Sequence, residues 1–292
     1  MEPRASVRIR EVDDVVDLAV VARLQREIWG FGDGDVVPVH VLLTAAHNGG
    51  LVLVASIGAD DVGMLFGFAG LTADGRPKHC SHMTGVVAAA RGSGVGGALK
   101  WRQRQRLLER GVELVTWTFD PLEARNARFN LSTLGAWSDA YLENVYGELD
   151  DDLNRGLPSD RLLVSWELRS ERVAVRAAQA GVEAPAWAPP AAADIAPATG
   201  QPLLLARSTA GARHPVRLDP ATEPSVTIEV PHDVQALKAR DLTLAHAWRT
   251  AVREAFTHAF RRGYRATGVG AGASDGLPTR WYVLRHTGTS DG

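Results

Sequence analysis

The order of apolar runs predicts an α/β (α+β) fold: a mixed central sheet with helices on both faces, then a smaller C-terminal α/β unit. Three observations carry this expectation. The first is the order strand, two helices, three strands, glycine-rich loop, helix, strand, helix, strand; a uniform alternation of strand and helix would instead predict an all-parallel sheet. The second is a hairpin turn over Ile57 to Gly63, with Gly58, Asp60 and Asp61, which makes part of the sheet antiparallel. The third is the segment Glu183 to Pro202, where Pro185, Pro189, Pro190, Pro197 and Pro202 stand among alanines and read as an extended linker. The expected domains are 1–172, a linker over 173–202, and 203–292.

Each element follows from local pattern. Val7 to Arg10 alternates and reads as a strand, and Asp13 and Asp14 are placed to cap a helix. Val16, Ala19, Val20, Leu24 and Ile28 recur at helical spacing up to Trp29. A second helix spans Val39 to Ala46, and strands follow at Leu51 to Ser56, Met64 to Leu71 and His82 to Val87. A helix from about Val95 to Arg110 ends at Gly111, and Val112 to Thr118 is a strand closed by Asp120-Pro121. Ala124 to Leu134 reads as a helix and Leu162 to Leu168 as a strand. Beyond the linker, strands are expected at Leu203 to Ala206, Val226 to Val230, Tyr264 to Val269 and Trp281 to Arg285. A helical region capped by Asp233 runs to Arg262, with Asp241 as a point of division and Trp248, Val252, Phe256 and Phe260 as a core stripe.

Composition narrows the class. The 292 residues are 45% hydrophobic and 23% charged, with a net charge of −2. That is an ordinary globular balance, and it lacks the basic face a nucleic-acid binder needs. Arg102, Arg104 and Arg106 read as a solvated helix face. Cys80 is the one cysteine, so no intramolecular disulfide forms and a reducing cytoplasm is the expected compartment. Met1-Glu2-Pro3-Arg4 lacks the apolar region of a signal peptide, and no apolar stretch is long enough to span a bilayer.

The chemistry concentrates in Arg91-Gly92-Ser93-Gly94-Val95-Gly96-Gly97, placed between a strand and a helix. Such a loop turns successive N–H groups toward one point, and the helix adds its own free N–H groups and positive dipole end. Together they suit a diphosphate, with Arg91 as a further cation. The same glycines, Gly92-x-Gly94-x-x-Gly97, also fit a dinucleotide fingerprint, with Asp120 at the end of the next strand about 20 residues on. Against that reading, Ala88-Ala89-Ala90-Arg91 separates Val87 from the first glycine, and the linker arrives before further strand–helix units.

The loop resembles the signature of the GNAT acyltransferase superfamily, Arg or Gln followed by x-x-Gly-x-Gly/Ala. The resemblance covers roughly residues 6 to 170. Thr116 to Leu122, Phe129-Asn130-Leu131 with Leu134-Gly135-Ala136, and Gly156 to Arg161 resemble more narrowly a bacterial branch with a C-terminal extension. The resemblance implies a GNAT-type sheet and an N-acyltransferase (acetyltransferase) using acetyl-CoA or another acyl-CoA as co-substrate. Val86 and Val87 would pair with the pantetheine arm, the N–H groups of Gly92, Ser93, Gly94, Val95, Gly96 and Gly97 would hold the diphosphate, and Asn126 would touch the CoA arm. The strands of Val87 and Thr116 would splay to admit the thioester. The acceptor implied is a small amine, including amino acids, with succinyl among the acyl groups; Arg125 and Arg128 are candidate cations for it.

Amine attack on a thioester needs a base, oxyanion stabilisation and a proton for the departing thiolate. Many GNAT enzymes carry a tyrosine acid where this chain has Phe129-Asn130-Leu131, so Tyr141 and Tyr146 are the substitutes. His82 and His79 are candidate bases, Glu27 an alternative. With Cys80 the two histidines supply too few ligands for a metal site, and none is expected. Trp29, Phe31, Arg155 and Arg161 are the candidate acceptor contacts, the arginines as forks for a carboxylate, although Asp160 could occupy one of them. A homodimer is a further expectation. A non-catalytic CoA-binding module is the other class of function these residues allow.

Overall fold

The structure, a computed structural model, describes residues 6–147, 154–181, 201–209, 212–217, 223–274 and 277–288. These gather into two compact units, one drawn from residues 1–117 and 166–191, the other from 118–165 and 192–292. Much of the expected 173–202 linker lies outside the described residues; its first residues continue a helix.

In chain order the first unit holds β1 (Val7–Glu11), α1 (Val15–Trp29), α2 (Val39–His47), β2 (Leu51–Ile57), β3 (Asp60–Leu71), β4 (Pro77–Val86), α3 (Val95–Glu109) and the start of β5 (Leu114–Phe119). β1 to β4 form an antiparallel meander, and β4 and β5 run parallel, so the sheet is mixed as expected. β2 is apolar at nearly every position because both its faces are covered. Val52 and Val54 pack with Leu18, Val21 and Leu24 of α1 and Leu42 of α2, whereas Leu51, Leu53 and Ala55 pack with Val95 and Leu99 of α3. Asp14 caps α1, accepting from Val16 and Asp17 N–H at 2.9 Å each.

The next elements are α4 (Ala124–Ala127), β6 (Trp137–Leu142), β7 (Arg161–Glu167) and α5 (Glu171–Gln179). The helix expected over 124–134 keeps its α pitch for one turn only; Arg128–Thr133 widens to a π turn, and Leu134 N–H reaches back to Phe129 O. β6 and α5 are additions to the sequence reading. Then come β8 (Gln201–Thr209), β9 (Ala212–Arg217), β10 (Ser225–Val230), α6 (Val234–Arg240), α7 (Leu242–Arg261), β11 (Tyr264–Ser274) and β12 (Leu277–His286). Asp241 does divide the long helical region, ending α6 and capping α7 through Leu244 N–H. In the second unit β6 pairs with β7 and β11, β12 with β11 and β10, and β8 with β10 and β9. No described helix is long and apolar enough to cross a membrane.

The second unit is tied by ions as well as by apolar packing. Arg249 of α7 is buried and grips Asp120 with two hydrogen bonds, at 2.9 and 2.5 Å. One turn on, Arg253 grips Asp160, which is 0% exposed, at 2.8 and 3.0 Å. Removing one member of such a pair strands the other's charge. Arg249→Ala should therefore cost about 3–5 kcal/mol of unfolding free energy, read by chemical denaturation. A loss under about 1 kcal/mol would mean that water reaches Asp120.

Candidate functional site

β4 and β5 are paired only at His79↔Val115 and Cys80↔Thr116. β4 then continues to Val86 and β5 to Phe119 without each other. From Ser81 onward, one edge of β4 has no ladder partner in β5. Opposite β3 the register shifts so that Phe66 faces Met83 and Gly67 faces Ser81, leaving His82 as the extra residue of a bulge.

β4 leads straight into the glycine loop. Val87 is buried, Ala88–Ala90 makes a 3-10 turn, and α3 begins at Val95. Gly92 and Gly94 take φ of 82° and 98°, which side chains disfavour. The N–H groups of Gly92, Gly94, Val95, Gly96 and Gly97 have no backbone partner among the described residues. A Cβ on Gly92 would meet nothing within 4 Å. Ser93 Oγ donates to Ala90 O at 2.6 Å, and Arg91 Nε donates to Val86 O at 3.3 Å, folding the arginine back along the strand end. Val86 packs within 3.8 Å of where a Cβ on Gly96 would be.

The acceptor candidates of the first unit line the same strand. Trp29 and Phe31 stack with centroids 5.5 Å apart, and Trp29 lies so close over β4 that a Cβ on Gly85 would come within 2.7 Å of its ring. His82 is exposed yet flanked by Phe66 and Phe68, with centroids at 5.8 and 5.9 Å. These rings displace water and hold its imidazole below the ordinary histidine value, so it stays neutral and able to accept a proton. Phe68, exposed beside it, was not singled out in the sequence. His79 is a different case. It is buried on the α3 side, where Nδ1 meets Gln103 Nε2 at 3.2 Å and Nε2 has no partner. Glu27 pairs with Arg23 on the surface of α1.

Tyr141, Tyr146, Asn126, Arg155 and Arg161 belong to the second unit. Tyr141 is committed: its hydroxyl donates to Asp160 at 2.6 Å and its ring stacks on Phe256 at 6.0 Å. Burial first, then the Asp160 charge, raises its pKa well above the ordinary phenol. Tyr146 is 52% exposed, and its hydroxyl lies 3.1 Å from Thr118 Oγ1, two residues past the last β4–β5 pair along β5. Its turn is fixed by Asn144, at φ 44°, and by Ser159: Ser159 N–H donates to Asn144 Oδ1 at 3.1 Å, and Tyr146 N–H donates to Ser159 Oγ at 2.9 Å. Arg161 spends its guanidinium on Asp160 O and Asn154 Oδ1, at 2.9 and 2.8 Å, and faces the Tyr146 ring. Asp160 is held by Arg253, not by Arg155 or Arg161. Arg155 is exposed, and Asn126 Oδ1 accepts from Asn130 at 3.3 Å. No group of His, Cys, Asp and Glu able to hold a metal is found among the described residues.

Asp120 settles one ambiguity. A dinucleotide site would need its carboxylate for a ribose. Here Arg249 takes both oxygens, and the strand entering the loop is antiparallel to its neighbour β3, unlike the parallel dinucleotide unit.

No protein-family model matches this chain, and no curated protein matches it. Among solved structures it is similar to the ribosomal-protein-S18-alanine N-acetyltransferase from Escherichia coli, at 14% identity and TM-score 0.44 over 56% of this chain and 95% of that one. It is also similar to Arabidopsis thaliana Naa50 in complex with the bisubstrate analogue CoA-Ac-MVNAL, at 17% identity and TM-score 0.43 over 55% and 97%. A third is an acetyltransferase of the GNAT family from Streptococcus pneumoniae, at 13% identity and TM-score 0.44 over 55% and 97%.

The buried His79 generates a pH prediction. Desolvation, helped by Lys100 and Arg110, pushes it from 6.5 down to about 4. The unfolded chain therefore takes up this proton at higher pH than the folded one. The stability present above about pH 6.5 is lost as pH falls toward 4, by about 3 kcal/mol in all. His79→Gln should flatten the urea-midpoint profile between pH 7 and 4. An imidazole that titrates near 6.5 by NMR in the native protein would contradict the burial.

Proposed function

We propose that this chain is an acyl-CoA-dependent N-acyltransferase that moves an acetyl or related acyl group from CoA to a small amine. The observation that carries the reading is the ladder ending at Cys80↔Thr116 on the strand that runs into the open, glycine-rich N-terminus of α3. A diphosphate fits the free N–H groups of Gly92, Gly94, Val95, Gly96 and Gly97, whereas Ser93 N–H, expected among them, donates to Ala90 O at 3.4 Å. An extended arm from that diphosphate then runs along the edge of β4 that β5 leaves unpaired, past Val86 toward His82. Val87, expected to pair with the arm, is engaged instead: its N–H donates to Val62 O at 2.9 Å and its C=O accepts from Ala90 N–H at 3.0 Å. From His82 to Val87 is about 16 Å at the usual strand rise of ~3.3 Å per residue. The layout suits a ligand with a long arm behind its phosphates.

The chemistry follows from what lies at the end of that arm. The amine nitrogen, freed of its proton, attacks the thioester carbonyl carbon, and the oxygen takes up negative charge. Unpaired β4 N–H groups are the donors available to it. His82, neutral and exposed, accepts the amine proton. When the carbon–sulfur bond breaks, the thiolate takes up a proton; of the two candidate tyrosines for this step, Tyr146 is the exposed one. Trp29 and Phe31 border the acceptor. Arg161, held inside its own loop, serves mainly to seat the Tyr146 ring.

Thermal shift with acetyl-CoA, succinyl-CoA, CoA and NAD tests the cofactor. Stabilisation by CoA and its thioesters is expected, and stabilisation by NAD alone would overturn the reading. Thiol release across a panel of amines and amino acids tests turnover; CoA binding without release would make the chain a binding module. Gly94→Glu places bulk and negative charge at the diphosphate and should weaken acyl-CoA binding a hundredfold or more, well beyond Gly94→Ala, which shares the strain at φ 98° without the charge. Tyr146→Phe should lower kcat tenfold or more with little change in KM for acyl-CoA.

A further inference from the structure

Lys100 is buried on the inner face of α3, 3% exposed. Its ammonium nitrogen donates to Gln103 Oε1 at 2.7 Å and to Ser81 Oγ at 3.0 Å. It also lies 3.9 Å from the centroid of the Trp117 ring and 5.1 Å from that of Trp166. No carboxylate pairs with it among the described residues. An amine buried this way is costly, and its desolvation drives the pKa well below the ordinary lysine value. A methionine or leucine would fill the same space at no such cost. Packing alone therefore does not account for the residue.

Its position does. The last β4–β5 pair is Cys80↔Thr116, so Ser81 and Trp117 are the first residues on either side of the fork. The Lys100 nitrogen touches both: a hydrogen bond to the β4 side chain and a cation–π contact with the β5 ring. Gln103, which accepts from Lys100, also meets His79 of the last paired stretch, so the helix holds β4 at two successive inward positions. Trp117 in turn packs edge-on against Trp166, at 5.9 Å, which fixes its ring from the other side.

We propose that Lys100 is a positioning residue, a strut wedged in the fork of β4 and β5 that stops the ladder from zipping beyond Cys80↔Thr116 and so sets the opening for the acyl-CoA arm. The use of that opening by an acyl-CoA arm rests on the acyltransferase reading; the strut itself does not. Without the amine, Ser81 and Trp117 lose their common partner. Two parallel strands that part after Cys80↔Thr116 then gain by extending their ladder.

Hydrogen exchange on the full chain separates the two ideas. In the wild type, those backbone amides of 81–84 and 117–119 that do not serve the ladders to β3 and β7 should exchange fast; in Lys100→Met they should become protected. Intact acetyl-CoA should bind Lys100→Met at least tenfold more weakly, while 3′-phospho-ADP, which lacks the pantetheine arm, binds as to wild type. A merely structural loss would weaken both ligands together. Should Lys100→Met fail to fold, Ser81→Ala removes the same contact from the β4 side, and the same segments should shift in the same direction by less. Unchanged exchange in the folded variants, or an equal loss of both ligands, overturns the strut. A wild type that binds neither ligand overturns the acyl-CoA reading, and the exchange comparison still decides the strut.

Discussion

Two parallel strands that separate in mid-course leave backbone donors and acceptors that must meet water or a ligand. In this chain β4 and β5 share two register pairs and then part, and the rest of the site depends on that separation. The bulge at His82 turns β4 just past the fork, and the free N–H groups of the glycine loop lie at the end of the same strand. An anion site by itself would be an ordinary feature of a helix N-terminus. Joined to an open strand edge, it has the shape that the proposed ligand, anionic at one end and extended from there, would need.

What keeps the edge open is the burial around it. The α3 face of the first unit is apolar near β2 and polar near β4, where Ser81, His79, Gln103 and Lys100 form one hydrogen-bonded group beneath Trp117 and Trp166. Every dipole there has limited alternatives, which gives the group rigidity at the expense of stability. On the other face, the Trp29 ring rests on Gly85 and the aromatic surround of His82 keeps that imidazole neutral. The two histidines of β4, three residues apart, thus have opposite surroundings, His79 buried and His82 exposed, because the strand gives them opposite faces.

The second unit fixes the turn that carries Tyr146 by a different means. Tyr141, Arg253 and Asn144 N–H all converge on the buried Asp160, and Ser159 beside it pins the turn that carries Tyr146. Hydrogen bonding to a fixed carboxylate explains why Tyr141 is spent on structure while Tyr146, five residues on, keeps an exposed hydroxyl. Asp120, beside Arg249, follows the same logic.

The amino-acid sequence by itself determined the elements whose signal is local: the amphipathic spacing of α1, its Asp14 cap, the break at Asp241 and the glycine loop before α3. It also held the mixed order of strands, and with it the sheet class. β6 escaped because its alternation is short and irregular, and the helix after Glu123 changed pitch in a way no periodicity announces. The tertiary structure alone decided which charged and aromatic groups are free. Arg249 and Asp120 are 129 residues apart, and Arg253 and Asp160 are 93 apart, so no window of sequence could show that these carboxylates are taken. The role of Lys100 was hidden for the same reason. Its spacing marks a helix, whereas its partners other than Gln103 come from three strands, and burial of a charge is a property of what surrounds a residue in space.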